Sequence, residues 1–461
     1  MAAGKIFDDD EYIAIYLFWV ENGRDRMNSV GWGVAMIRRI LCLLVCLLLP
    51  GAWGAASGLA VEGELASAAF WSHQAAGDKV LLDAAGVRDL NQWLQQNNRC
   101  LCNLRAYPAQ VPAERLRAEL SEGVPEWGSY YHGGQALSWA EYAQALANRG
   151  LDRVQPVTAV RYAVTVQRAN LRLLPVAAGW FSSPEDVHYD DLQATAVDPS
   201  EALLVLQESS DGAFLFVQMR NYRGWIARDA IAFTDRDTWL QYVDMKDFLV
   251  VTANRYEAGG QLYQLGSRMR LKGRNDAGWQ VVLPQRDARG RLAAVETVVP
   301  VSESVHQGYL AFTRNHLVQS AFRCLGDVYG WGGLEDSVDC SSFVADVYRT
   351  VGIELPRDAD QQEQAFSQRL QLAGMDSRER LEALLTKAQP GDLLFRDGHV
   401  MLYLGQSAGE PYIIHSASSY YEPSDGGWAK VYIRRVVVSG VYFLNRRGMT
   451  NLDVLTSIGR L

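Results

Sequence analysis

Apolar and polar positions change their rhythm several times along the chain, and each change marks a segment. Residues 36–54 read MIRRILCLLVCLLLPGAWG. Arg38 and Arg39 precede an unbroken apolar run, and Pro50 and small residues follow it. This is the order of an export signal, with cleavage expected after Gly54. The run is too short to span a bilayer. Cys46 lacks the small residue just before it that a lipid-anchoring signal needs. Asp8, Asp9, Asp10 and Glu11 are wrong for the front of an export signal. The start is therefore expected at Met36, with residues 1–35 an over-extended reading frame.

Residues 55–155 read as helical. Val80, Leu81, Ala84, Ala85, Val87, Leu90, Trp93 and Leu94 fall near helical spacing. Two more helices are expected over 112–120 and 138–147, the second opened by a Ser138/Glu141 capping box. The period then shortens. Strands over 157–166, 203–207 and 214–219, with a turn at Arg223 and Gly224, predict a small all-β barrel over 156–234. A linker over 235–246 is expected before a second barrel over 247–303, with strands at 248–252 and 279–283. Residues 304–461 begin with helices over 315–325, 340–351 and 379–387. Strands over 392–395, 399–404, 412–415 and 430–438 follow. Helices first and an antiparallel sheet afterwards predict an α+β domain. The expected fold is thus multidomain: a helical N-terminal region, two small barrels and a larger α+β domain.

Composition narrows the functional classes. The chain has 461 residues and a formal net charge of −9. An acidic chain is a poor nucleic-acid binder, because phosphate contacts need clustered Lys and Arg. Thirteen Trp and 21 Tyr argue against disorder. Signal cleavage removes Cys42 and Cys46 and leaves Cys100, Cys102, Cys324 and Cys340. Cys100 and Cys102 have no further Cys or His at ligand spacing, since His73 and His132 are too far along the chain, so no metal site is expected.

The chemistry concentrates near Cys340. Gly330, Gly332 and Gly333 form a glycine-rich loop, and Asp339 is placed to cap the next helix. Cys340 then occupies the first helical position, where the helix dipole and unpaired N–H groups favour a thiolate. Phe343 and Val344 bury the helix and leave the sulfur free to face a cleft. A nucleophile needs a base. His399 opens one strand and His415 ends another, and a turn over 406–411 pairs the two as a hairpin. The parts match a cysteine-peptidase triad.

Five blocks carry a resemblance: Asp339 to Phe343; Leu355, Pro356, Arg357 and Asp358 with Gln361 and Gln362; Pro390 to Phe395; His399 and Val400; and Ile414, His415 and Ser416. In order and spacing they resemble the NlpC family of papain-like bacterial cell-wall cysteine peptidases, over about residues 304–445. The upstream arrangement resembles the branch with two bacterial SH3-like domains, the γ-D-glutamyl-L-diamino acid endopeptidases. The resemblance implies a papain-like peptidase domain with Cys340 as nucleophile, His399 as base and His415 as orienting residue. It implies substrate contacts at Tyr329, Asp339, Ser341 and Asp358, with Asp339 or Asp358 pairing with a free N-terminal amine. It also implies an aromatic residue from the first barrel closing the site, for which Tyr189 in the loop over 180–192 is the choice. The implied substrates are peptidoglycan stem peptides of the form L-Ala-γ-D-Glu-diamino acid, in an exported, periplasmic or wall-associated setting. No cofactor is implied. Two alternatives stand beside this reading: an endopeptidase of intact wall anchored by its barrels, and a non-catalytic wall-binding protein. Three positions depart from the pattern. Ser342 replaces a common Gly, Ala359 a common Ser, and Arg396 a common Phe.

Overall fold

The computed structural model describes residues 60–72 and 77–460. The expected signal and the extension before it lie outside the described residues. Helices occur at Ala84–Asn97, Ala113–Ser121 and Trp139–Asn148. The last carries the reciprocal Ser138/Glu141 capping box. These helices do not share a core of their own. Trp71, Val87 and Leu94 pack into the core of the C-terminal domain. Leu104, Val111, Leu116 and Leu120 join apolar residues of the first barrel. Tyr142 and Ala145 pack on Trp180 and Leu192. Each helix is amphipathic and buries its stripe on whichever neighbour lies beneath it.

Residues 161–234 form a seven-stranded antiparallel sheet whose inner face buries Leu171, Leu203, Val205, Leu215, Val217 and Ile226. The expected linker over 235–246 is largely a helix, Arg236–Val243. Asp235 caps it by accepting from the Thr238 N–H, and Trp239, Tyr242 and Val243 are buried. The run reads as polar because only one face of two short turns is apolar. A five-stranded antiparallel sheet follows, from Phe248–Val251 to Val305–Gln307, with its own core of Leu249, Val251, Tyr263, Met269, Val281 and Leu283.

The C-terminal domain lays helices Arg314–Phe322 and Cys340–Arg349 against a six-stranded antiparallel sheet. Two strands were not read from sequence, the edge strand Gln368–Gln371 and, beside it, Leu455–Arg460, which also pairs with Leu393–Arg396. The central hairpin is longer than expected, His399–Ser407 with Glu410–Ser424. Its turn is only Ala408 and Gly409, since Ser407 pairs with Glu410. Both turn residues have positive φ, 53° and 81°, which matches the right-handed strand twist.

The Cys340–Arg349 helix sits at the centre. Phe343, Val344, Val347 and Tyr348 are each at most 2% exposed. At about 1.5–3 kcal/mol per large apolar side chain, this face alone anchors the helix firmly. Its last turn is tied to both barrels through one buried carboxylate. Asp198 pairs with Arg168 at 2.6 Å and with Arg349 at 2.8 Å, and accepts from Ser267 Oγ at 2.8 Å. First barrel, second sheet and the Cys340–Arg349 helix meet at that residue.

Candidate active site

Asp339 is the N-cap of the helix that Cys340 opens. Its carboxylate accepts from the Ser342 N–H, and Ser342 Oγ accepts from the Asp339 N–H at 3.0 Å. The Ser that replaces a common Gly thus completes a capping box. Asp339 does not present a free carboxylate. Arg357 grips it in a fork, Nη2 to Oδ2 at 2.6 Å and Nη1 to Oδ1 at 3.2 Å. The Gly332 N–H donates to Oδ2 at 3.0 Å and Ser341 Oγ to Oδ1 at 3.2 Å. The Arg357 guanidinium holds Asp339 below the usual carboxylate range, against the opposing effect of burial. Arg357 also donates to Ser341 Oγ at 2.9 Å and to Thr195 Oγ1 at 2.7 Å. Sequence reasoning quoted Arg357 only as part of a motif; adjacency to Asp358 was its sole signal.

The glycine-rich loop is clamped by the first barrel. Gln193 Nε2 donates to the Gly332 carbonyl at 2.9 Å, and Arg168 Nη2 to that of Gly333 at 3.2 Å. Gly332 and Gly333 have φ of 58° and 82°. A Cβ on Gly333 would stand 2.6 Å from Ala196 Cβ, so the close approach needs glycine.

The imidazoles lie on adjacent strands. His399 Nε2 and His415 Nδ1 are 2.8 Å apart, and His415 Nε2 is 3.2 Å from Ser439 Oγ. Ser439 spends its proton on the Gly440 carbonyl, at 2.8 Å. It can therefore only accept from His415 Nε2–H. His415 Nδ1 is then bare and accepts from His399 Nε2–H, which leaves His399 Nδ1 as the free base. Burial pulls both rings down, His415 to about 3 and His399 well below its ordinary value, with Arg396 nearby adding to both. Both are neutral imidazoles, as the bond chain requires. Phe443 packs edge-on against His415 at 5.3 Å between ring centres.

Next to His399, the Val400 N–H points at the Cys340 sulfur. The thiol is 9% exposed. Burial and the Asp339 carboxylate push it up to about 11, while the Val400 N–H, Arg357 and Arg396 act the other way. The expected thiolate preference of the helix start is thus outweighed by burial. Ionisation of so raised a thiol calls for a proton acceptor close by.

Tyr189 enters from the first barrel. Its hydroxyl is 2.7 Å from Ser418 Oγ. Its ring stands 6.2 Å from Tyr329, 6.1 Å from Trp331 and 6.4 Å from Tyr432. Tyr329 is itself pushed up in pKa by burial and by its neighbours Cys340 and Asp339. A polar latch beside Tyr189 was not legible in sequence. Arg434 Nη1 donates to His188 Nε2 at 2.8 Å, His188 Nδ1 lies 3.2 Å from Glu335, and Arg434 pairs with Glu335. Glu335, Asp336 and Arg434 all have positive φ, so the latch holds strained backbone on both sides. Asp358 is half-buried; Gln361 Nε2 donates to its Oδ2 at 2.8 Å. Burial, Asp339 and Asp360 raise its pKa against the pull of Arg357.

The remaining thiols stay apart from this chemistry. Cys100, Cys102 and Cys324 are free, as is Cys340. Among the described residues there is no cluster of three or more potential metal ligands, and no helix is long and apolar enough to cross a membrane.

A helix-borne thiol facing paired strand imidazoles, on an α+β domain behind a small barrel, defines a papain-like thiol peptidase class. Residues 326–437 match the NlpC/P60 family, and residues 180–227 match an SH3 domain of the SH3b1 type. The chain thus carries an NlpC/P60 domain, a kind found in peptidoglycan peptidases, with an SH3 domain ahead of it. The chain is 26% identical over 235 residues to dipeptidyl-peptidase 6 of Lysinibacillus sphaericus, covering 47% of this chain and 80% of that protein. It is similar in fold to the solved structure of an NlpC/P60 endopeptidase from Photobacterium damselae subsp. piscicida, with a TM-score of 0.70 at 14% identity. That likeness covers 87% of this chain and 97% of the other.

Proposed function

We propose that the protein is a cysteine endopeptidase that hydrolyses the γ-D-glutamyl-L-diamino acid bond of peptidoglycan stem peptides, outside the cytoplasm. Its substrates are released peptides with a free N-terminal L-Ala. The observation that carries the reading is the seat of Tyr189. An aromatic side chain from the SH3 domain packs against Tyr329 and Trp331 beside the nucleophile. A wall at that point favours a peptide that ends there over one that continues into glycan. Among the described residues Asp358 has one oxygen without a hydrogen-bond partner, and it is the group for the substrate ammonium, since Asp339 is already filled by Arg357.

In the first step the Cys340 sulfur attacks the γ-carbonyl carbon while His399 Nδ1 takes the thiol proton. Backbone N–H groups at the helix start receive the oxyanion. His399 returns the proton to the leaving amine as the C–N bond breaks. Water then attacks the thioester, giving one proton to His399, which restores the thiol. His415 and Ser439 fix the tautomer throughout.

The test is hydrolysis of L-Ala-γ-D-Glu-diaminopimelate with products identified by mass. Cys340→Ala is expected to abolish it and chelators to leave it unchanged. Acetylation of the L-Ala amine is expected to remove the substrate. Equal cleavage of the acetylated peptide would turn the reading toward an endopeptidase of intact wall, and activity in Cys340→Ala would end it.

A further inference from the structure

Arg396 ends the strand Leu393–Arg396 and pairs directly with His399 across the short turn. Paired residues on antiparallel strands send their side chains to the same face. The guanidinium therefore stands on the face of the sheet that carries the catalytic imidazole. Cys340, His399 and His415 all feel its charge. It is held in a fixed orientation. Nε donates to the buried Asn451 Oδ1 at 2.9 Å, and Nη1 to the Asp397 carbonyl at 2.9 Å.

What it lacks is a counter-ion. Among the described residues Nη2 donates to nothing and the side chain forms no ion pair. The other two guanidiniums at the site are neutralised, Arg357 by Asp339 and Arg434 by Glu335. The Arg396 side chain is partly exposed, and a cation drawn partly out of water gains when an opposite charge meets it. The substrate class brings such charges. A γ-linked D-glutamyl residue keeps its α-carboxylate free, and the diamino acid carries carboxylates of its own. Both sit a few bonds from the scissile amide. A planar guanidinium with an open N–H edge is suited to receive one.

We propose that Arg396 is an anion subsite that binds a substrate carboxylate flanking the scissile bond and so selects free acids over amidated peptides. The proposal rests on the peptidase reading above. It assigns a task to the residue that departs from the family's common Phe, and it makes amidation of the stem peptide a block to cleavage.

The experiment compares three peptides: the free acid, the D-glutamyl α-amide and the diamino acid carboxamide. Wild type, Arg396→Gln and Arg396→Lys are assayed for kcat and KM. Wild type is expected to prefer the acid over one of the amides by roughly tenfold to a hundredfold, the range of a charge-assisted hydrogen bond, mostly through KM. The amide that is disfavoured identifies the carboxylate. Arg396→Gln is expected to lose the preference and Arg396→Lys to regain part of it. Equal handling of all three peptides by wild type overturns the proposal, whatever the variants do. An equal loss on all three in Arg396→Gln also overturns it, because the charge would then act on Cys340 rather than on substrate. Calorimetry with Cys340→Ala separates the two layers. No binding of any peptide, with no turnover by wild type, sinks the peptidase reading. Binding whose acid preference survives Arg396→Gln sinks the subsite alone.

Discussion

Replacing Arg357 with Leu tests how the start of the Cys340 helix is held. In the native protein Arg357 and Asp339 are 5% and 6% exposed and joined by two bonds. The substitution leaves a buried carboxylate with no counter-charge. Such an orphan costs about 3–5 kcal/mol. Thr195 and Ser341 each lose a donor, adding about 1 kcal/mol apiece. For a domain of this size each kcal/mol moves the thermal midpoint by about 2–4 °C, so the combined loss of about 5–7 kcal/mol predicts a fall of about 10 °C or more. The sign of the pH dependence follows from the shift. Asp339 is held low in the native fold, so the pair's contribution is complete above the ordinary carboxylate range and lost as pH falls through the depressed value. Without Arg357, burial raises Asp339. The penalty is then largest near about pH 7 and shrinks toward about pH 5 as the carboxyl protonates. Differential scanning calorimetry of both proteins at the two pH values reads this directly. Adding Asp339→Asn to Arg357→Leu should recover part of the loss. A fall under about 2 °C, or the same fall at both pH values, would refute the reasoning.

Three further outcomes are expected. His415→Ala frees the His399 ring to rotate and lowers kcat by about 10²- to 10⁴-fold with little change in KM, while His415→Gln retains more; steady-state kinetics on the tripeptide checks it. His399 and His415 are neutral in the fold with lowered pKa values, so the unfolded chain binds protons first as pH drops below 6.5. Stability should fall by up to about 1.4 kcal/mol per pH unit for each ring. For His415 this window runs down to about 3, and a thermal midpoint flat below 6.5 would contradict it. Arg434→Ala opens the His188 and Glu335 latch, so KM is expected to rise several-fold and amide exchange over residues 181–192 to quicken; unchanged exchange would show that Tyr189 is held without it.

Part of this site is written locally. The apolar face of Phe343, Val344, Val347 and Tyr348, the cap at Asp339 and the position of Cys340 all lie within one helix, where a 3.6-residue period makes the buried face visible. The strands bearing His399 and His415 are likewise visible from their apolar runs. Ser439 is not, because it reaches His415 through a strand register in which His415 pairs with Val437. Tyr189 and Ser418 are 229 residues apart, and the latch joins residues 188, 335 and 434. No periodicity encodes such a meeting. The helix Arg236–Val243 reads as linker for a related reason: its buried Trp239, Tyr242 and Val243 make sense only once a barrel face lies beneath them.

The sequence by itself determined most of the helical and extended segments, where the thiol sits on its helix and that two imidazoles lie on neighbouring strands. These follow from spacing along the chain and from the chemistry of single side chains. Only the tertiary structure decided what the charges do. It filled Asp339 with Arg357, raised the thiol by burial, set the imidazole tautomers through Ser439 and left Arg396 beside His399 without an ion pair among the described residues. Burial and ion pairing depend on what the rest of the chain brings within a few ångströms, and that is a property of packing rather than of spacing.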